Sequence, residues 1–120
     1  MKIEGWVDEH LSPRIEIQTP QGKTMDLVVD TGFNGHLVLP AQLLQEISFD
    51  HKGSTVVELA DGSKVTSELY EGSIIWFGED KKVRVHATSS EDALLGTKML
   101  VGYVLELDMK AGKVEIRERQ

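Results

Sequence analysis

Residues 27–32, with the sequence Leu-Val-Val-Asp-Thr-Gly, join an apolar segment to a carboxylate and a glycine. The three leading residues are apolar on both faces of a strand, so the end of that strand is expected to be buried. A lone ionised carboxylate is costly to bury, so Asp30 needs hydrogen-bond donors, a partner group or contact with solvent. Thr31 offers a hydroxyl group, and Gly32 allows backbone or a ligand to approach closely.

Two other short motifs follow. Residues 93–96, Ala-Leu-Leu-Gly, again bring large apolar residues to a glycine, and Asp61-Gly62 separates two alternating segments in the manner of a β-hairpin turn. Each motif also has a plain structural interpretation. Asp30 could make an Asx-type turn at the end of its strand, and Gly96 could end a core strand at a turn.

In this order and spacing, the three motifs resemble the single-domain retropepsin-like aspartic proteases, the family of retroviral proteases and their bacterial and archaeal relatives. The matching segments are residues 28–32 (VVDTG), 59–63 (LADGS, at the position of the flap hairpin) and 94–96 (LLG), followed by final strands at 103–108 and 114–116. Residues 30–40 look most like a prokaryotic subgroup. The resemblance covers nearly the whole chain.

The resemblance implies roles for particular residues. Asp30, Thr31 and Gly32 correspond to the catalytic motif, in which two carboxylates share a proton, activate a water molecule and polarise the scissile carbonyl. The positions implied to bind substrate are Phe33, Asn34, Gly35, Ala60, Asp61, Gly62 and Ser63, and those implied to support the catalytic loop are Leu94, Leu95 and Gly96.

One Asp-Thr-Gly motif supplies one carboxylate, and 120 residues is about half the length of a two-lobed enzyme of this kind. We therefore expect a homodimer in which Asp30 and its mate meet across a two-fold axis. The resemblance assigns Thr31 a hydroxyl bond across this dimer. The expected activity is that of an aspartic endopeptidase that cleaves peptides or unfolded proteins under a flap, with no cofactor and no metal.

Two alternatives remain open. Phe33 stands where the family usually has Ala or Ser, and Thr97-Lys98 replace the Arg-Asn or similar pair of many relatives. These departures favour a retropepsin-like dimerisation or peptide-binding module with little or no turnover. A small β-barrel binding domain with a coincidental motif is the third interpretation, and it predicts a monomer.

Short alternating segments separated by turns predict an all-β chain. The resemblance specifies a retropepsin-like closed or partly open β-barrel with one or two short helices, forming half of a two-fold symmetric aspartic protease. Strands are expected at residues 2–8, 14–19, 24–30, 36–39, 55–59, 64–70, 73–77, 82–87, 103–109 and 113–117. A helix is expected over 41–47, where Pro40 suits the first helical position, and one or two helical turns over 97–101. No repeat or linker divides residues 1–120, which predicts a single domain.

Composition excludes several other classes of function. The chain has 13 Lys and Arg against 20 Asp and Glu, a net charge of −7, which argues against nucleic acid as a partner. It has no cysteine, so disulfides, thiolate catalysis and Cys-ligated zinc are excluded. The four histidines show no metal-ligand spacing. No apolar run approaches the roughly 20 residues that cross a bilayer, and the N-terminus has no apolar signal core, so no membrane partner and a cytoplasmic location are expected.

Overall fold

The computed structural model describes residues 1–58 and 60–120, which form ten strands and two short helices. The strands are β1 (Lys2–Val7), β2 (Pro13–Gln18), β3 (Thr24–Val29), β4 (Leu37–Pro40), β5 (Asp50–Glu58), β6 (Lys64–Trp76), β7 (Glu79–Thr88), β8 (Leu94–Leu95), β9 (Tyr103–Asp108) and β10 (Lys113–Glu118). The helices are α1 (Ala41–Leu44) and a 3₁₀ helix (Thr97–Leu100). The predicted all-β architecture with one or two short helices is confirmed.

The ten strands belong to one sheet, in the order β5-β6-β7-β4-β8-β3-β2-β1-β10-β9. A further pairing joins β2 to β6 through Gln18 and Ile75, so six strands follow a closed circuit of pairings. This circuit is compatible with a partly open barrel. Two pairings are parallel, β3 with β8 and β4 with β7, and both lie at the centre of the strand order.

The core lies inside this curved sheet and follows the alternation seen in the sequence. Ile15 and Ile17 of β2 are buried, whereas Glu16 between them is exposed. On the neighbouring strand β3, Leu27 and Val29 are buried in the same way. Burying each of these aliphatic side chains contributes roughly 1.5–3 kcal/mol, which fixes which face of each strand points inward.

The α-helix is shorter than predicted. α1 covers Ala41–Leu44 rather than residues 41–47. Beyond it, the N–H of Glu46 donates to the carbonyl of Leu43 at 2.9 Å, three residues back, which is the tighter 3₁₀ pattern that often ends a helix. The apolar face that predicted the helix still packs on the core, because Ile47 is half-buried against it.

The region predicted to form the flap differs from the prediction in two ways. The predicted strands 64–70 and 73–77 are one continuous strand, β6. Gly72 lies within this strand. A Cβ at Gly72 would come within 2.2 Å of the ring of Phe49, which packs against the strand, and this contact explains the glycine. β5 begins at residue 50 rather than 55, and the last residue of that prediction, Leu59, lies outside the described residues.

Asp8 closes the loop between β1 and β2. Its carboxylate accepts the backbone N–H groups of His10 and Ser12, both at 2.9 Å, and the Nε–H of Arg14 at 2.6 Å. These hydrogen bonds, above all the one from Arg14, lower the pKa of Asp8 to about 2. The ionised carboxylate therefore stabilises the folded chain.

Replacing Asp8 with Asn should lower the Tm at pH 7, and the difference from the wild type should shrink as the pH falls. Because the pKa of Asp8 is about 2 in the folded chain and 3.8 in the reference state, its contribution is complete above about pH 4 and is lost as the pH falls through 2. Thermal unfolding followed by circular dichroism from pH 7 down to about pH 2 measures this, with the exposed Asp92→Asn variant as control. A Tm difference that is independent of pH would contradict the assignment.

Candidate functional site

Asp30 follows β3 directly, at the centre of the strand order. Backbone pairing with β8 fixes the point at which the chain leaves β3. The N–H of Val28 donates to the carbonyl of Ala93 at 2.8 Å, and the N–H of Asp30 donates to the carbonyl of Leu95 at 2.9 Å. Leu95 is fully buried, so the backbone of Asp30 is anchored to the core.

The loop after β3 turns tightly around the carboxylate of Asp30. The N–H of Phe33 donates to the carbonyl of Asp30 at 3.2 Å, and the N–H of Gly32 donates to Oδ1 of Asp30 at 2.9 Å. The Asx-type turn expected from the plain structural interpretation is therefore present. Within the described residues, Oδ2 accepts no hydrogen bond, so the half-buried carboxylate retains an oxygen that a ligand or partner can use. Thr31 and Gly32 are exposed at the tip of the turn.

β8 supports this loop from behind. The strand Leu94–Leu95 lies between β3 and β4, parallel to the first and antiparallel to the second. Directly after it, the N–H of Gly96 donates to the carbonyl of His36 at 2.9 Å. The segments predicted as the catalytic motif and its support are thus adjacent in space.

The 3₁₀ helix ties down the second half of the loop. Thr97 donates twice to the carbonyl of Phe33, from its N–H at 2.8 Å and from its Oγ1 at 3.2 Å. The N–H of Lys98 donates to the carbonyl of Gly35 at 3.3 Å. The Thr97-Lys98 pair noted in the sequence therefore holds the loop within one chain.

Two glycines make room for the ring of Phe33. A Cβ at Gly35 would lie 2.5 Å from the ring, and a Cβ at Gly96 would lie 2.5 Å from the ring and 2.2 Å from the carbonyl oxygen of Gly35. The large side chain that departs from the family pattern is accommodated by these close contacts. Phe33 is half-buried and packs the loop onto the residues that support it.

The hairpin between β5 and β6, predicted to be a flap, turns at residues 60–63. Oδ1 of Asp61 accepts the N–H of Ser63 at 2.9 Å and its hydroxyl at 2.6 Å, and these bonds lower the pKa of Asp61. Gly62 has a φ of +85°, a left-handed conformation that glycine adopts without strain. Residues 60–63 are exposed, and Leu59, which begins the flap motif in the sequence, is outside the described residues.

An open cleft of about 450 Å³ lies between this hairpin and the paired strands β4 and β7. Val57 and Val65 face each other across the hairpin and form one apolar wall. Phe33 and Val38 contribute apolar surface as well. Hydroxyl groups are supplied by Thr66, Ser67, Thr88 and Ser89. The cleft can therefore take an apolar group beside polar atoms.

His86 lies in the wall of the cleft beside Phe33. Their ring centroids are 6.0 Å apart, with the planes at 80°, an edge-to-face contact. Nδ1 of His86 is buried and has no hydrogen-bond partner within the described residues. Burial lowers the pKa of His86, so the imidazole is neutral at pH 7.

The predicted substrate-binding residues do not all meet at the cleft. Phe33 lines it, whereas Asn34 is exposed on the loop and residues 60–63 lie at the hairpin turn. Sequence reasoning missed Val38, Val57, Val65 and His86. For Val57 and Val65 there was a signal, because both belong to the alternating segments on either side of Asp61-Gly62. Nothing local in the sequence indicates that Val38 and His86 are neighbours, because only the pairing of β4 with β7 brings them together.

Residues 1–58 and 60–120 contain neither a metal-binding group of side chains nor a membrane-spanning helix. No three His, Cys, Asp or Glu side chains in this part of the chain are grouped so that they could hold a metal ion. Of the helices described there, none has the length and apolar character needed to cross a bilayer.

The fold, unlike the sequence, has clear relatives. No family model and no curated protein matches the chain. Among solved structures, a retropepsin-like aspartic protease from Rickettsia conorii is 16% identical, with a TM-score of 0.68, and the match covers 98% of this chain and 91% of that chain. EIAV protease, complexed with an inhibitor, is 18% identical with a TM-score of 0.66, over 83% of this chain and 97% of that chain. A foamy viral protease-reverse transcriptase is 14% identical with a TM-score of 0.57, over 79% of this chain and 13% of that chain. The chain therefore has the retropepsin-like fold that its sequence predicted.

Proposed function

We propose that the chain is an aspartic endopeptidase that acts as a homodimer, with one Asp30 from each copy. The observation that carries the proposal is the carboxylate of Asp30 at the end of β3. Its Oδ1 accepts the N–H of Gly32, and its Oδ2 has no partner among residues 1–58 and 60–120. Asparagine makes an Asx-type turn as well as aspartate does, so the turn itself does not require a charge at this position. Peptidase chemistry is further supported by the fold neighbours, which include a retropepsin-like aspartic protease and EIAV protease bound to an inhibitor.

The dimer follows from the number of carboxylates. The reaction needs two, and the chain has one Asp-Thr-Gly motif. The exposed tip of the loop, Thr31 and Gly32, is the surface through which a second copy can bring its own Asp30 alongside. A two-fold axis at this point gives each copy the same contacts.

In the proposed reaction, one carboxylate is ionised and the other carries a proton. The ionised group accepts a proton from water as the water oxygen bonds to the scissile carbonyl carbon, and the protonated group hydrogen-bonds to the carbonyl oxygen. The tetrahedral intermediate then collapses, the C–N bond breaks, and the leaving nitrogen takes a proton from the carboxyl pair. The pair returns to its starting state with one proton.

The other predicted residues would position the substrate and the catalytic loop. We assign the exposed hairpin turn at residues 60–63 to a flap that pairs with an extended peptide backbone. Gly35 and the exposed Asn34, in the loop after β3, would contact the same peptide. Leu94–Leu95 and Gly96 hold the loop in place. Because this pairing needs an extended peptide strand, the proposed substrates are peptides and unfolded proteins. The proposed location is the cytoplasm.

A tightly bound transition-state mimic tests the shared site. A peptide with a tetrahedral hydroxyl group in place of the scissile carbonyl should inhibit cleavage of an unstructured peptide, because it mimics the hydrated intermediate. Titration should saturate at one inhibitor per two chains, and sedimentation of the complex should give twice the chain mass of 13.4 kDa. Saturation at one inhibitor per chain, or tight binding to a monomer, would rule out a site shared between copies.

A peptide-binding module with little turnover is the second candidate. The position of Phe33 favours it, because the ring forms part of the wall of the cleft and occupies space beside the turn at Asp30. This candidate predicts that unstructured peptides bind without being cleaved between about pH 4 and 7, the range in which carboxylates and histidine titrate. Cleavage that depends on Asp30 would dismiss it.

A further inference from the structure

Four basic residues converge beside the loop that carries Asp30. His36 ends that loop, and its Nδ1 accepts the backbone N–H of Arg84 in β7 at 3.0 Å. Lys98, in the 3₁₀ helix, donates its N–H to Gly35, the residue before His36, at 3.3 Å. We call His36, Lys81, Arg84 and Lys98 the basic cluster.

The cationic side chains of the cluster lack carboxylate partners. Within the described residues, no Asp or Glu oxygen lies within 4.0 Å of the charged nitrogens of Lys81, Arg84 or Lys98. Glu71 is opposite Arg84 on β6, but its carboxylate pairs with Lys82 at 3.5 Å. Arg84 and Lys98 are both exposed, so their charges can pair with a carboxylate of a ligand.

The electrostatic effect of the cluster is visible at His36. The pKa of His36 is lowered first by burial and then by the positive charges of Lys98, Lys81 and Arg84. The positive charges of Lys98, Lys81 and Arg84 are therefore all close enough to His36 to act on it.

This cluster continues the cleft. Val38 and His86, which line the cleft, are paired between β4 and β7 and lie two residues beyond His36 and Arg84, and Arg84 shares one face of β7 with His86. Two residues of a strand span about 6.6 Å, so an extended peptide that occupies the cleft reaches the cluster within a few residues.

We propose that the basic cluster binds carboxylate side chains of the substrate, so that the peptidase selects acidic segments of unfolded polypeptides. This inference rests on the proposed function. In a two-fold dimer each copy would carry the cluster beside its own cleft, so the preference applies on both sides of the scissile bond. Acidic residues more than about 8 Å from the cluster are largely screened at physiological ionic strength, and Glu71, which lies opposite Arg84, is paired with Lys82.

Paired peptides that differ only in charge test the preference. One peptide carries Glu residues on both sides of the scissile bond, and the other carries Gln at the same positions. The wild type should cleave the Glu peptide with a kcat/KM about fivefold or more higher at 50 mM salt, and the ratio should fall towards one at 1 M salt, because each exposed charge pair is worth a factor of about 1.5 to 5. The Arg84→Gln, Lys98→Gln double variant should lose the preference, so that its kcat/KM ratio for the Glu and Gln peptides is close to one.

Charge reversal and a matched control sharpen the result. The Arg84→Glu, Lys98→Glu variant should prefer a Lys-flanked peptide over the Glu peptide. The Lys52→Gln, Lys110→Gln variant removes two exposed charges elsewhere and should keep the wild-type preference. Equal cleavage of the Glu and Gln peptides by the wild type, or an equal loss in the Lys52 and Lys110 control, would overturn the proposal.

Binding measurements separate this proposal from the catalytic one. Fluorescence anisotropy with the Asp30→Asn chain reports peptide affinity without turnover. If the wild type cleaves nothing but the Asp30→Asn chain still binds the Glu peptide through Arg84 and Lys98, the cluster stands and the peptidase proposal falls. If cleavage depends on Asp30 and ignores peptide charge, the peptidase proposal stands and the cluster falls.

Discussion

Asp30→Asn should lower kcat/KM for peptide cleavage by about 10³-fold or more while the chain stays folded. Asparagine has the shape of aspartate, and its side-chain carbonyl can still accept the N–H of Gly32, the one hydrogen bond that this side chain makes with the part of the chain that the structure describes. It cannot take a proton from water. A fluorogenic peptide assay measures the loss, and thermal unfolding confirms that the fold is retained.

Asp26→Asn is the matched control for this experiment. Asp26 lies four residues earlier on β3, is exposed, and pairs with Arg14 at 3.3 Å on the outer face of the sheet. Its loss should leave kcat/KM unchanged, because the side chain is paired with Arg14 on the outer face of the sheet, four residues before Asp30. Undiminished cleavage by Asp30→Asn, or an equal loss with Asp26→Asn, would remove Asp30 from the reaction.

Mixed dimers extend the test to the partner copy. When wild-type and Asp30→Asn chains are mixed at constant total concentration and allowed to exchange, a site that needs two carboxylates is complete only in dimers of two wild-type chains. Activity should then fall as the square of the wild-type fraction. A linear fall would mean that each chain works alone.

Gly96→Ala should have the largest effect on stability, a loss of about 3 kcal/mol or more, with a Tm more than about 10 °C lower or a chain that does not fold. The dihedral angles of Gly96, φ −95° and ψ 173°, suit any residue, so the cost comes from packing. Its Cβ would lie 2.2 Å from the carbonyl oxygen of Gly35 and 2.7 Å from that of Phe33, and backbone atoms on both sides leave it no room. Thermal or urea unfolding measures the loss.

Gly35→Ala provides a sharp comparison. The nearest atoms to a Cβ at Gly35 all belong to the ring of Phe33, at 2.5 to 3.4 Å. Alanine there should cost about 1–3 kcal/mol in the wild type and much less in a Phe33→Ala background, where the ring is gone. The same background should not rescue Gly96→Ala, because backbone oxygens remain. Equal rescue of both glycines would show that the ring, not the backbone, excludes the methyl group at Gly96.

The sequence was sufficient for those parts of the fold that depend on local chemistry. The apolar run that ends at Asp30 predicted a buried strand followed by a tight turn, and Asp61-Gly62 predicted the hairpin between β5 and β6. The break expected between the strands 64–70 and 73–77 was wrong, because β6 continues through Gly72. The ring of Phe49, from an earlier segment of the chain, packs where a side chain at this position would lie. Long-range packing decided that point, and no local pattern reports it.

The cleft was the least predictable part of the site. Val38 and His86 come together through parallel strands 48 residues apart, and the unpaired Nδ1 of His86 is a property of that packing. The basic cluster is hidden for the same reason, because Arg84 and Lys98 are ordinary charged residues until the fold brings them to His36. A single sequence carries alternation and turn chemistry, but not the register between distant strands.

The parallel pairing of β3 with β8 also determines when the loop around Asp30 can form during synthesis. Asp30 is made early, but its N–H is held by the carbonyl of Leu95, 65 residues later, and the loop is fastened by Thr97. Contacts so distant in sequence form late, because a long loop must close before they contribute. A nascent chain that still lacks its last quarter therefore cannot form the hydrogen bonds that hold the loop around Asp30 in place.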